Sequence, residues 1–316
     1  MNKIPYISII VPCYNGAEVI GRAIESIIAQ NNDEIEMIIV NDGSNDNTEE
    51  ACKKYKEYEF IHYYRTPNLG AGHARNYGIS KANGIWISFL DSDDLYIENS
   101  MNKVIPVLRE YEKNGIDVVY TPKTKGDMQM NNVNVTLAEN IDQIRHIPKL
   151  EFWTGIYSKS FIDSKNIKFF EYKEQDIESA FRFRVFSNSP KAITDNNLAF
   201  YFQRDNPESN THTWKKEVLY RVKAQIFLEL LENNISKKDD AWLLRGVLKE
   251  VRNYYINCIK YGCSDVLMLK KVNLCYKKAI NISHGIHLGK NKLKVLLSTK
   301  LLFIAGNTIG KRKSAK

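Results

Sequence analysis

From residue 6 to residue 120 the sequence repeats one pattern: a short unbroken apolar run, then a segment with apolar residues three and four apart. The runs are Tyr6-Ile7-Ser8-Ile9-Ile10-Val11 between Pro5 and Pro12, Met37–Val40, Phe60–Tyr64, Gly84–Leu90 and Asp117–Tyr120. The first lacks the in–out alternation of a strand with one wet face, so it predicts a strand buried on both sides; Gly84–Leu90 likewise reads as a buried strand, and the others as strands. Between them, Val19, Ile20, Ala23, Ile24, Ile27 and Ile28 share one face of a helix. Asn15 is placed to cap that helix, with Glu18 three residues on completing a capping box. Further helices are predicted from Thr48 to about Tyr58 and over Gly72–Ala82. Strands alternating with helices require right-handed crossovers and a mainly parallel sheet, so the fold class is α/β and Rossmann-like.

In such sheets ligands bind beyond the carboxyl ends of the strands, and the loops there carry chemistry. The apolar run ending at Leu90 opens into Asp91-Ser92-Asp93-Asp94, three carboxylates in one turn. Crowded carboxylates repel unless a positive group lies between them, and hard oxygen donors suit Mg²⁺ or Mn²⁺. The same four residues could instead serve only as a turn and helix cap. After the first strand come Pro12, Cys13, Tyr14, Asn15 and Gly16, an aromatic face and an amide at a helix start. After the second, Asp42 precedes Gly43 and can accept from a base N–H. Asn68-Leu69-Gly70-Ala71-Gly72 leads into a helix with Arg75 in its first turns, amides and a guanidinium suited to a diphosphate. Later, Glu171–Glu178 places carboxylates at the start of a helix holding Ala180, Phe181 and Phe183.

As a set, Ser8–Asn15, Ile39–Asp46, Asn68–Asn76 and Leu90–Asp94 resemble the motifs of glycosyltransferase family 2, over about residues 5–214. The resemblance implies a GT-A fold and an inverting, metal-dependent transfer from a UDP-sugar. Asp42 would then contact the nucleobase beside Tyr14, and Arg75 would lie near the nucleotide. Asp91 and Asp93 would form the D-x-D pair that binds ribose and metal, Asp93 as the direct ligand. The family's Glu-Asp pair, whose Asp is the base, maps onto Gln175-Asp176. Because Gln replaces Glu, a shifted register would make Glu174 or Glu178 the base instead. The Gln-x-x-Arg-Trp motif of processive members is absent. Tyr201-Phe202-Gln203-Arg204, with Ser209, Thr211 and His212 beyond, resembles the loop that closes over the diphosphate in single-addition enzymes. Arg204 thus joins the nucleotide-sugar site, and His212 is a candidate third metal ligand.

Charge divides the chain. Residues 215–316 hold 22 Lys and Arg against 7 Asp and Glu, whereas the first 214 hold 23 against 30. The expected organisation is a catalytic domain over 1–214 and a basic helical region over 215–316. In the first, about 1–120 would bind the nucleotide sugar, and 121–214, with a loop-rich stretch at 122–150, the acceptor. Helices are predicted at Val218–Leu231, Ala241–Tyr261 and Val266–Ile280. Lys270, Lys271, Lys277, Lys278, Lys290, Lys292, Lys294 and Lys300, with apolar residues interleaved at 293–304 and Lys311-Arg312-Lys313 at the end, suit an anionic membrane surface, or a helix packed on the catalytic domain or on a second copy in a homo-oligomer. No nucleic-acid-binding module accompanies them. The five cysteines, odd in number and without metal spacing, point to reduced thiols. No run is long enough to span a bilayer and no signal peptide is evident, so the expected location is cytoplasmic, or peripheral on the inner membrane face. The expected acceptor is a glycan or lipid-linked glycan of a growing surface polysaccharide. The competing readings are transfer to a protein-bound glycan and a nucleotide-sugar-binding assembly protein without catalysis.

Overall fold

A computed structural model of the chain describes residues 4–125, 136–138, 151–171, 178–195, 197–204, 216–233, 240–261 and 266–283. The chain divides into two compact units, Met1–Pro207 and Glu208–Lys316. In the first, β1 (Ile7–Cys13), β2 (Ile35–Asn41), β3 (Ile61–Arg65) and β4 (Trp86–Phe89) lie side by side, all parallel, in the order β3-β2-β1-β4. Every residue of β1 and β2 is buried, as their unbroken apolar runs require. Ser8 and Glu36 satisfy each other: the Ser8 hydroxyl donates to Glu36 Oε1 at 2.6 Å, and the Asn83 amide donates to the same oxygen.

Three helices alternate with these strands: α1 (Ile20–Ile28), α2 (Thr48–Lys53) and α3 (Ala71–Lys81). The capping box expected at Asn15 and Glu18 does not form, because α1 begins only at Ile20, with no side-chain cap. Asn15 instead takes a left-handed φ of 50° and bonds the neighbouring strand-end loop. α2 ends at Lys53, short of the expected Tyr58.

Beyond β4 the sheet continues through β6 (Val118–Tyr120), β8 (Thr136–Ala138), β9 (Gly155–Ser158) and β10 (Ala192–Thr194). Strand β9 is inserted antiparallel between β4 and β6, and β8 pairs antiparallel with β10 at the edge. A second small sheet joins β5 (Leu95–Tyr96), β7 (Lys123–Lys125) and β11 (Tyr201–Gln203), with β11 in the middle. It draws residues near 200 to the acidic turn after β4. Helix α4 (Met101–Lys113) carries Pro106 in its interior, which hides it from start-and-stop signals. Most of the stretch 122–150 lies outside the described residues.

An aromatic cluster fills the space below the strand ends: Phe89, Phe152, Tyr157, Phe169 and Phe181 pack edge-on or tilted, and Phe169 stacks on Phe181 at 3.8 Å. Phe181 belongs to a helix over Glu178–Ser187, which follows a shorter one, Lys159–Ser164.

The second unit is helical: Lys216–Glu232, Asp240–Tyr261 and Val266–Ser283, each bounded close to the sequence expectation. Leu230, Leu231, Leu243, Leu244, Val247, Val251, Tyr254 and Val272 supply its core. The leucine–lysine stretch 290–304 lies outside the described residues. Among the described residues no helix is long and apolar enough to cross a membrane.

Candidate active site

The parallel order of β3, β2, β1 and β4 brings their carboxyl ends, and the loops after them, to one edge. Pro12 is buried within β1, while Tyr14 just beyond it is exposed at 43%. The loops after β1 and β2 lace together. The Asn15 amide donates to Ser44 Oγ, the Asn45 amide to Asn15 Oδ1, the Gly16 amide to Thr48 Oγ1, and the Ala17 amide to Asp46 Oδ2. The loop amides ahead of α1 are thus met by side chains from the neighbouring strand's connection and not by a local capping box. Asp42 is buried, and its carboxylate accepts from the amides of Leu69 at 3.0 Å and Gly70 at 2.8 Å. It ties the β2 end to the glycine-rich loop after β3. Gly43, at φ 70°, lets that turn approach so closely that a Cβ would stand 2.7 Å from the Asn68 amide.

The acidic turn follows β4. Asp91 accepts a 2.8 Å hydrogen bond from Arg75 Nη2, and the Arg75 side chain is only 4% exposed. The guanidinium lies 4.6 Å over the Phe152 ring and 5.4 Å from that of Phe169. The cation that the sequence offers to a diphosphate is therefore paired with the first acid of the cluster. Burial raises the pKa of Asp91, Arg75 opposes the shift, and Asp93 adds to it. Ser92 bonds the buried Cys13 thiol, whose pKa burial pushes up to about 11. Asp93 is half-buried, its carbonyl 3.4 Å from Arg204 Nη1.

Asp94 is the acid that the sequence offers only as a turn or helix-cap residue. It is buried, accepts from the Tyr201 hydroxyl at 2.6 Å and the Arg204 amide at 2.8 Å, and is pushed up to about 7, mainly by burial and next by Asp91. Tyr201 and Arg204 lie more than a hundred residues away in sequence, beyond the reach of any spacing rule.

The catalytic-base candidates are bracketed. On one side, Asn76 of α3 donates from Nδ2 to the Phe169 carbonyl and to Glu171 Oε1, and accepts the Phe169 amide. The fit there is close, since a Cβ on Gly72 would stand 2.1 Å from the Phe170 carbonyl oxygen. On the other side, Phe181 anchors its helix in the aromatic cluster under Arg75. Glu174, Gln175 and Asp176 lie outside the described residues, as does His212; Glu178 opens the helix.

Among the described residues no three Asp, Glu, His or Cys side chains form a ready-made metal cage. A cation held by one or two carboxylates and completed by substrate phosphates needs no such cage. Asp91 and Asp93 fit that role: Asp93 adds to the cost of ionising Asp91, and Asp91 keeps a quarter of its side chain exposed.

Parallel strands with helical crossovers, an antiparallel insertion and an acidic turn at the carboxyl edge define a glycosyltransferase of GT-A fold. The chain matches the profile of glycosyl transferase family 2 over residues 8–187, more than half its length, and belongs to that family. It is 29% identical to the uncharacterized glycosyltransferase EpsJ of Bacillus subtilis (strain 168), across 86% of this chain and 79% of that one. It is 43% identical to the minor teichoic acid biosynthesis protein GgaB of the same organism, over 36% of this chain but only 13% of GgaB. Among solved structures, S. aureus TarS 1-349 in complex with UDP-GlcNAc superposes with a TM-score of 0.70, covering 98% of this chain and 92% of that one at 18% identity.

Proposed function

We propose that the chain transfers one sugar from a UDP-sugar to a hydroxyl of a glycan acceptor, with inversion, in the synthesis of a surface polysaccharide or teichoic-acid-like polymer. The observation that carries this reading is the acidic turn Asp91–Asp94 at the carboxyl edge of the parallel strands, with Arg75 as its buried counter-charge. The UDP-GlcNAc bound by TarS and the pathway in GgaB's name support the donor and acceptor classes.

In this reading Tyr14, Asn15 and the Asp42–Gly70 junction receive the nucleoside, and the Asp91–Asp93 turn faces the ribose and diphosphate. Mn²⁺ or Mg²⁺, when bound at Asp93 and Asp91, would supply charge neutralisation on the departing diphosphate. Arg75 offsets part of the burial cost of an ionised Asp91, favouring the form that accepts hydrogen bonds or serves as a ligand. Arg204, tethered to Asp94 through its amide, presents its guanidinium beside the turn. Asp176 is assigned as the base that takes the acceptor proton, on the family resemblance alone, with Glu174 and Glu178 as alternatives.

The test is UDP release from a panel of UDP-sugars, with Mn²⁺ and with EDTA, in the wild type, Asp93→Ala and Asp176→Ala. The expected pattern is metal-dependent turnover of one donor, no turnover in either variant, and nucleotide binding kept by Asp176→Ala. If Asp176→Ala turns over at the wild-type rate, the base is one of the two glutamates. If no donor turns over and UDP does not bind, the reading fails.

A further inference from the structure

The last described helix presents two unlike faces. Within Val266–Ser283, Leu269, Val272, Cys275, Tyr276 and Ala279 are buried in the core of the second unit. The opposite face, at three- and four-residue spacing, carries Leu267, Lys270, Lys271, Leu274 and Lys277. Leu267 is 61% and Leu274 55% exposed, and Tyr261, ending the preceding helix, is 78% exposed. Leucine and tyrosine this open to water are a cost to a soluble surface. The helix holds no acidic residue; Lys278, on the same face, is paired with Glu232 of the first helix of this unit at 3.3 Å.

We infer that this face docks on an anionic lipid bilayer, with Tyr261, Leu267 and Leu274 entering the headgroup boundary and Lys270, Lys271 and Lys277 contacting lipid phosphates. The pattern is that of a helix lying in the interface plane, lysine stems running along the apolar surface and ammonium groups reaching to the charges. Two other occupants fit less well. A second copy meeting this face through a two-fold axis would set lysines against lysines, with no carboxylate on the helix to separate them. A nucleic acid would satisfy the lysines but leave the two leucines in water. The inference stands apart from the transfer reaction and places the enzyme where a lipid-linked acceptor would be found.

The test uses the full chain and co-flotation with vesicles of phosphatidylcholine, alone or with about one-third phosphatidylglycerol. Wild type should float with the anionic vesicles and stay behind with the neutral ones. Leu267→Ser/Leu274→Ser and Lys270→Gln/Lys271→Gln/Lys277→Gln should each lower the partition coefficient by about tenfold or more, the lysine variant most strongly at low salt. Circular dichroism and UDP binding like the wild type's would show that the variants are folded. Three results would overturn the inference: no flotation of the wild type, flotation unchanged in both folded variants, or self-association without lipid that Leu267→Ser/Leu274→Ser abolishes.

Discussion

Replacing Arg75 with methionine should cost the first unit about 3 kcal/mol, most of it through Asp91. Removing one partner of a buried ion pair costs about 3–5 kcal/mol, because the other charge is left without compensation. Asp91 retains 25% side-chain exposure, and water reaching it should trim that cost to about 2–3 kcal/mol. Loss of the guanidinium from its place 4.6 Å over Phe152 adds about 1 kcal/mol. Methionine keeps most of the arginine stem's packing, so a cavity contributes little. The assay is urea unfolding followed by tryptophan fluorescence in EDTA, on Arg75→Met, Asp91→Asn and the double variant. Because neutral asparagine no longer needs a counter-charge, the double variant should be more stable than Arg75→Met alone, with a coupling energy of about 2 kcal/mol. A coupling below about 0.5 kcal/mol, the range of independent sites, would refute the claim that Arg75 serves chiefly to neutralise Asp91.

Gly72→Ala should destabilise by about 2 kcal/mol or more in the same assay, because the new Cβ meets a backbone carbonyl that cannot rotate away; an unchanged midpoint would mean that the 169–171 segment yields easily. Asp46→Ala should cost about 1 kcal/mol at neutral pH, since the Ala17 and Thr48 amides lose their acceptor. Burial works against ionisation of Asp46, yet the Thr48 hydroxyl and these two amides outweigh it and hold the carboxyl below its usual range. Its contribution is therefore present in full above the ordinary carboxylate pKa of about 4, and is lost as pH falls through the lower folded value. Unfolding curves of variant and wild type should differ at pH 7 and converge in acid; a difference that persists in acid would assign the effect to something other than the charge.

Much of the first unit is legible without coordinates because its signals are local. A strand buried on both faces must be an unbroken apolar run, so β1, β2 and β4 can be read directly, and their alternation with helices leaves parallel pairing as the natural outcome. The acids after β4 and the glycine-rich loop after β3 stand where a parallel sheet gathers its loops, which is why Asp42, Gly70, Arg75, Asp91 and Asp93 can be picked out. What each one touches is another matter. Charge pairing and hydrogen bonding depend on distances between segments that only packing sets. The structure joins Arg75 to Asp91, spends the Asp42 carboxylate on the amides of Leu69 and Gly70, and closes Asp94 with Tyr201 and the Arg204 amide. The misplaced cap has the same origin: Asn15 has the right spacing for a local capping box, but Ser44 and Asp46 of the next loop, and Thr48 at the start of α2, take the amides of Asn15, Ala17 and Gly16. Periodicity and composition determined the layers, the edge that carries the chemistry and the residue types available there. Tertiary structure alone decided which acid is neutralised and which is held by a tyrosine, because a carboxylate's environment is made by side chains far away in the chain.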